Sequence, residues 1–486
     1  MSSASSGAPA YDISAATPDQ ACGQGPQAGP AKVPRVSVIV LNRNGERIIG
    51  KCLDHLLAQT FDDFDILLVD DNSADGSIVV AESYLGCGKL SIVRSHRNLG
   101  VPGARNLGLV HAKGEILAFI DNDGYAHKEW LAAALRTLES DDKIGAIASV
   151  VFFANRKTIL NACGGTINQQ GYGGDFCYHI PYEFADIPRE VLFPMGCGIV
   201  LRRKALSQTW QFDSRPIKWY EDVELGIWLW ACGYKVVVAQ DAWIDHGWGF
   251  SDAFLPDRAY MCERARIRNV LKYYPARRLM SWLSHEVSHF AHAAGTMRSV
   301  LIKAWLWNLH HLPSAWRWRL RIRRHKAPFW HLIDSTWGYF PGPVPDDAAN
   351  YLDLKQAHST LLMDGRNDMH QLNFGWYEAE TDAGRTFRWS ARQASVLFRF
   401  HVPVLNCTIA FAGSKDREVR LIMRPLGSLK PLADECFRLI GTQWTWRTFL
   451  IHLPPGDYEL LLLCEDQMIE KTGRKLGVAV SEIRFE

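Results

Sequence analysis

Short apolar runs that alternate with helical spacing and stop abruptly at acidic or amide residues constrain this chain more than any other feature. Residues 116–120 are almost wholly apolar and too few for a helix, which suits a strand buried on both faces. The run ends at Asp121-Asn122-Asp123-Gly124. Residues 36–41 end in the same way at Asn42-Arg43-Asn44, and residues 64–69 at Asp70-Asp71-Asn72. Between the first two runs, Ile48, Ile49, Leu53, Leu56 and Leu57 recur at helical spacing; a third strand is expected at 90–93 and a helix at 105–112. Strands alternating with helices predict a parallel sheet covered on both faces. Three polar strand ends then share one edge, where ligands of open α/β sheets collect. Asp121 and Asp123 suit a hard divalent cation whose shell is completed by diphosphate oxygens. Alone, the pair reads first as a polar turn. The convergence of the three ends shifts the reading toward a nucleotide-binding crevice.

The common phosphate-binding loops are missing. No G-x-G-x-x-G follows the first strand, and no G-x-x-x-x-G-K-[ST] occurs. Phosphates would have to be held by a metal and by basic side chains, of which Arg94, Arg97 and Arg105 are the local candidates; Arg94 and Arg97 read equally well as solvated surface arginines. A net charge of +2 over 486 residues gives no field that draws the chain to nucleic acid. The 11 cysteines form no C-x-x-C pair, so reduced core thiols and a cytoplasmic location are expected. No apolar run approaches the ~18 residues of a membrane span, and residues 1–34, rich in Ala, Ser, Gly and Pro, read as a disordered leader.

Read in order, Val36-Ser37-Val38-Ile39-Val40, Gln59-Thr60-Phe61, Leu68-Val69-Asp70-Asp71-Asn72-Ser73, Asn98-Leu99-Gly100, Ala104-Arg105-Asn106-Leu107-Gly108, Gly114-Glu115 and Phe119-Ile120-Asp121-Asn122-Asp123 resemble the inverting family 2 glycosyltransferases of GT-A fold. The resemblance implies an α/β nucleotide-sugar-binding domain over 35–255. It implies that Asp71 contacts the nucleoside base, and that Leu41, Asn42 and Arg43 line base and ribose. Arg105 would lie near the diphosphate, and Asp123, assisted by Asp121, would hold Mg²⁺ or Mn²⁺. Arg43 stands where many relatives carry an aromatic residue, although an arginine plane also stacks.

Further on, Gly196-Cys197-Gly198 leads into a strand, and its glycines would let backbone approach a ligand or form a bulge. Trp219-Tyr220-Glu221-Asp222 opens a helix and matches the family's Glu-Asp word. By that resemblance Asp222 is the catalytic base and Glu221 helps position acceptor or base. Glu224 reads as a helix-start acid favoured by the macrodipole. His246, at a strand end, matches a histidine that completes the metal shell in relatives; it reads equally as a hydrogen-bonded strand-end histidine.

Residues 256–340 read as helical. Residues 258–274 give an amphipathic helix. His285-Glu286-Val287-Ser288-His289 matches the H-E-x-x-H of zinc proteases, a remote alternative, with Leu279, Leu283, Val287 and Phe290 expected as the core stripe opposite the histidines. Aromatics and arginines over 297–326 fit a helix lying on an anionic membrane surface, at the inner face of the cell membrane, as well as one packed on the first domain. After Pro341, Pro343 and Pro345, short strands at regular intervals predict an antiparallel β-sandwich over 341–486, resembling modules appended to bacterial glycan-assembly transferases. Trp376, Trp389, Trp444 and Trp446 there could serve a sugar platform or a core. The reading is a metal-assisted inverting transferase that uses a UDP- or dTDP-linked sugar and a glycan or lipid-linked acceptor. Its rival is a non-catalytic sugar-binding scaffold whose transferase half has lapsed.

Overall fold

The computed structural model describes residues 33–247, 258–322, 330–333, 359–363 and 371–486, apart from 155, 179, 181, 183–184, 208–209, 216–217, 294, 414–415, 427–429, 465–466 and 470–473. The expected leader lies outside these residues except for its last two, and the proline linker lies outside them entirely.

The first half alternates as expected: β1 (Val36–Asn42), α1 (Ile49–Leu57), β2 (Phe64–Asp70), α2 (Ser77–Glu82), β3 (Leu90–Arg94), α3 (Gly100–His111) and β4 (Ile116–Asp121). Next come β5 (Gly124–Ala126), α4 (Trp130–Glu139), β6 (Ile144–Phe153), β7 (Arg156–Ala162), β8 (Gly165–Ile167), β9 (Gly173–Asp175), β10 (Ile199–Arg202), α5 (Glu221–Ala231) and β11 (Lys235–His246). The sheet order is β3-β2-β1-β4-β10-β6-β11-β5, with β7 on β6. β1 pairs parallel with both β2 and β4, in a register that sets Asn42 beside Asp70 and Leu41 beside Asp121. The three polar ends thus meet on one edge. β10 runs antiparallel between β4 and β6, and this brings the turn before it back toward Asp121. Core side chains fill both faces of the sheet, as nearly continuous apolar strands require.

Four helices follow: α6 (Arg258–Tyr273), α7 (Ala276–His292), α8 (Gly295–His310) and α9 (Leu312–Ile322). α6 is the helix expected over 258–274, and it buries most of its basic residues. Arg264, Arg266, Arg268 and Lys272 are all buried. Burying cations is costly unless each finds an anion, and here each of three does: Arg266 pairs with Glu263 and Glu286, Arg268 with Asp213, and Lys272 with Asp213 and Glu224. The pairing corrects two expectations. Glu286 of the H-E-x-x-H word is buried against Arg266, where it cannot serve a metal-bound water, so the zinc-protease reading falls. The same pair sets the roll of α7. Leu279, Trp282 and Glu286 face inward, whereas Leu283, Val287 and Phe290 are exposed rather than forming the core stripe.

The C-terminal strands are β12 (Thr360–Leu362), β13 (Leu372–Asp382), β14 (Arg385–Phe400), β15 (Val404–Ala412), β16 (Arg417–Pro425), β17 (Ala433–Leu439), β18 (Thr445–Leu453), β19 (Gly456–Cys464), β20 (Gln467–Ile469), β21 (Arg474–Leu476) and β22 (Ala479–Phe485). Their main sheet is antiparallel, in the order β17-β16-β19-β14-β22-β15-β18, and it folds over one apolar core as a β-sandwich. Its two edge strands meet: Phe437 of β17 touches Phe411 of β15 and Phe449 of β18. Trp376 is fully buried there and donates to the Ser395 carbonyl at 2.8 Å, so it packs rather than binds.

α5 lies so close to the strand-like segment at 192–193 that only glycine fits at 226. A Cβ there would stand 2.2 Å from the Leu192 oxygen and 2.6 Å from the Phe193 Cα. Gly226→Ala should therefore lower stability by about 1–3 kcal/mol, the usual cost of overpacking, in a chemical denaturation series. An unchanged midpoint would show that α5 can move away freely.

Candidate functional site

The polar edge is knitted together before any ligand is considered. Asn42 donates to Asp70 at 3.0 Å and accepts from Asn122 at 2.8 Å, joining the ends of β1 and β2 to the turn after β4. Ser73 donates back to Asp70. Sequence reading missed Asn122 and Ser73 because amides and serines in turns carry no distinctive pattern. Asp71 is buried, and its carboxylate accepts from the Leu99 and Gly100 amides at 2.6 and 3.0 Å, fastening the start of α3. Burial pushes its pKa up even though these amides and Arg43 oppose the shift. Arg43 is exposed beside it, and Leu41 is nearly closed off from solvent.

Asp121, Asp123 and His246 come together at the ends of β4 and β11. His246 Nε2 lies 3.3 Å from Asp123 Oδ1, and Nδ1 lies 2.9 Å from Asn161 Oδ1. An amide oxygen at Nδ1 selects the tautomer that leaves Nε2 facing the acids. Burial alone would raise the Asp123 pKa and lower that of His246. Their mutual attraction outweighs it, so Asp123 ends below its usual range and His246 above. Asp121 is raised, first by burial and then by Asp123, against the pull of Arg105. Cys197 joins this cluster: its sulfur, an Asp121 oxygen and a His246 nitrogen all lie within 4.8 Å of one another. Oxygen and imidazole donors converging in a buried pocket fit a divalent cation. Lys218 also acts on Asp121, Asp123 and Glu221, and no motif pointed to it.

The second pole is the start of α5, which gathers Glu221, Asp222 and Glu224 in one turn, where the helix dipole favours acids. The two preceding residues, Trp219 and Tyr220, both adopt φ of 65°, a left-handed conformation that costs free energy in non-glycine residues. Tyr220 is held there at both ends: its hydroxyl accepts from the Gly173 amide at 3.1 Å, and its carbonyl accepts from Asn269 at 3.1 Å. Burial, followed by the neighbouring Glu221, pushes the Asp222 pKa up to about 7, with Arg105 opposing. Glu224 takes a different part, since it is buried on Lys272 and accepts from the Tyr273 hydroxyl at 2.9 Å.

Arg105 lies between the two poles. It is 1% exposed, with its guanidinium 5.7 and 5.5 Å from the Phe119 and Phe212 rings. It donates to the Gly196 carbonyl at 3.2 Å, and its Nη1 is 3.4 Å from Glu221 Oε1. A Cβ at Gly196 would stand 2.8 Å from Arg105 Nη2 and 3.8 Å from Asp222 Oδ2, while Cys197 stands beside Asp121, so the turn before β10 runs between Asp121 and Asp222. The structure thus brings Asp121, Asp123, His246, Arg105, Glu221 and Asp222 into one neighbourhood. Asn42 reaches it through Asn122, while Asp71, Leu41 and Arg43 lie at the β1–β2 end of the same edge.

Against known proteins, the model of "Glycosyl transferase family 2" matches residues 37–210, which stops short of Asp222 and His246. The amylovoran biosynthesis glycosyltransferase AmsB of Erwinia amylovora is 30% identical over 217 residues, covering 42% of this chain and 67% of that protein. EpsH of Bacillus subtilis, described as a glycosyltransferase, is 38% identical over 106 residues, 22% of this chain; the chain spans only 31% of its length. Among solved structures, Staphylococcus aureus TarS 1–349 in complex with UDP-GlcNAc aligns over 60% of this chain and 89% of that one, at 18% identity and a TM-score of 0.40, a likeness too slight to add to the topology above.

If Arg105 is the counter-ion that keeps Glu221 buried, Arg105→Met should cost about 3–5 kcal/mol, the usual consequence of stranding a buried charge. The double variant Arg105→Met/Glu221→Gln should recover much of that loss in urea denaturation. Equal stability of the two would sink the pairing.

Proposed function

The chain belongs to glycosyl transferase family 2, and we propose that it moves a sugar from a nucleoside-diphosphate donor, UDP- or dTDP-linked, to a hydroxyl of a glycan or lipid-linked acceptor with inversion at the anomeric carbon. The observation that carries this is the opposition of two poles across the Gly196 turn: cation-binding acids on one side, and a carboxylate with a pKa near neutrality on the other. Asp121, Asp123 and His246 would hold Mg²⁺ or Mn²⁺. Bound there, the cation supplies charge compensation for the leaving diphosphate.

The remaining chemistry belongs to this chain's own groups. Asp222 accepts the acceptor hydroxyl's proton as the new C–O bond forms and the bond from the anomeric carbon to the diphosphate oxygen breaks. A carboxylate held near neutral pKa is a far better base than an exposed one. Glu221, tied to Arg105, keeps a negative neighbour beside Asp222. Arg43, exposed just after β1, would stack on the base.

Asp222→Asn should lose about 10²–10⁴-fold in turnover with an unchanged melting temperature, measured by release of nucleoside diphosphate across a donor panel. In the parent protein kcat/KM should fall about tenfold per pH unit below about 7, as Asp222 becomes protonated and can no longer accept a proton. Wild-type turnover by Asp222→Asn would remove it as the base. The scaffold alternative predicts no donor turnover in any variant, and no thermal stabilisation by Mn²⁺ with UDP or dTDP.

The helical segment favours action at the inner face of the cell membrane. Among the described residues no helix is long and apolar enough to cross a bilayer. Yet Met280, Leu283, Val287, Ile302, Leu306 and Trp316 are exposed along α7, α8 and α9, an apolar surface suited to interfacial lipid. The full chain should pellet with phosphatidylglycerol vesicles at low salt, and Leu306→Asp/Val287→Asp should stay in the supernatant. Equal pelleting of both proteins would exclude this face.

A further inference from the structure

The turn that separates the two poles carries one side chain. At Gly196 a Cβ would collide with Arg105, and Gly198 has a φ of 113°, which residues with a Cβ rarely adopt. Only Cys197 can project from it, and it projects toward the acids. Gly124 leaves the space: a Cβ there would stand 2.9 Å from the Cys197 sulfur. The sulfur, Asp121 and His246 then offer three donor atoms within 4.8 Å of one another. Ligands around one cation, with bonds of about 2.0–2.3 Å, span up to roughly that separation.

A merely apolar thiol would not choose these neighbours. Burial first, and then Asp121 and Asp123, push the Cys197 thiol pKa well up, yet its sulfur stands with an oxygen of Asp121 and a nitrogen of His246 in one tight group. Cys52, also buried nearby, behaves differently. Its thiol donates to the Asp121 carbonyl at 3.7 Å, and it has no place among the clustered donors. Cys52 ties to the end of β4, and Cys197 faces the cation position.

We propose that Cys197 is a ligand of the divalent cation held by Asp121 and His246, and that its sulfur biases the site toward thiophilic ions such as Mn²⁺, Zn²⁺ or Cd²⁺ over Mg²⁺. The inference rests on the transferase reading above for the existence of the cation site. It adds to that reading a residue that an oxygen-and-imidazole donor set does not need. Soft sulfur ligands select against Mg²⁺, which prefers oxygen and retains its waters. The thiol gives its proton to solvent as the metal–sulfur bond forms.

The test uses the full chain and three bare cations. Cd²⁺ titration of the parent protein should raise the ultraviolet thiolate-to-cadmium charge-transfer band, with one equivalent of it missing in Cys197→Ser and in Asp121→Asn. Exposed Cys87 and Cys436 contribute equally to all three proteins and cancel in the difference. Mn²⁺ affinity, read from the free-ion spin-resonance signal, should drop by about tenfold or more in Cys197→Ser, while Mg²⁺ affinity, read by competition, changes little. An identical band in Cys197→Ser, or equal losses of Mn²⁺ and Mg²⁺ affinity, overturns the sulfur ligand and leaves the transferase reading standing. A parent protein that binds none of the three ions, with or without UDP, overturns both.

Discussion

The ion pairs that bury α6 fasten it to α5, the helix that carries Asp222. Lys272 reaches both Asp213 and Glu224, Arg268 donates to Asp213 at 2.7 Å, and the Tyr273 hydroxyl closes on Glu224. Glu224 is one helical turn of α5 shared with Asp222, so whatever fixes Glu224 also fixes the base candidate. Asp213 is pulled far below its usual pKa despite burial, by Lys272 first and then Arg268 and Arg215. A network of this kind is a poor source of net stability, but it breaks badly if one member is removed. Its consequence is positional: α6 and the sheet share one core, in which Ile267, Val270 and Tyr273 pack with residues of the first half.

The same constraint explains what sequence reading could and could not see. The alternating strands, their order and their polar ends were legible because parallel buried strands leave near-continuous apolar runs that stop where the sheet stops. The residues at those ends, Asp121, Asp123 and Asp70, were legible for the same reason. The helical segment was misread where charge decided the outcome. Leu283, Val287 and Phe290 on α7 look like a core stripe, and nothing in the spacing of α6 shows which of its arginines go inside. Pattern alone cannot reveal that Arg266 will be buried, nor that Glu286 must follow it inward and turn those apolar side chains out. Cys197 and Lys218 escaped for another reason. Neither belongs to a recurring spacing, and each reaches the site only because β10 returns antiparallel beside β4 or because the chain turns sharply before α5.

That sharp turn bears on how the site is kept ready. Two successive left-handed residues before Glu221 are unfavourable in an isolated chain. They persist because Tyr220 is clamped by Gly173 from the 165–175 hairpin and by Asn269 from α6. The hairpin is in turn fastened to the helices, with the Gln170 carbonyl accepting from Arg266 and Trp282. Strain at the base end of the site is therefore held by elements far apart in sequence.

Arg105 shows why such rigidity matters for chemistry. It lowers the pKa of both Asp121 and Asp222, and it is buried between two aromatic rings where water cannot screen it. The two acids nevertheless meet different surroundings. Asp121 stands with His246 and Cys197, whereas Asp222 has Glu221 at its side and is left near neutrality. Acids set in contrasting environments divide between holding charge and moving a proton. Here a single buried arginine, donating to the turn that separates them, fixes the distance over which that division is made.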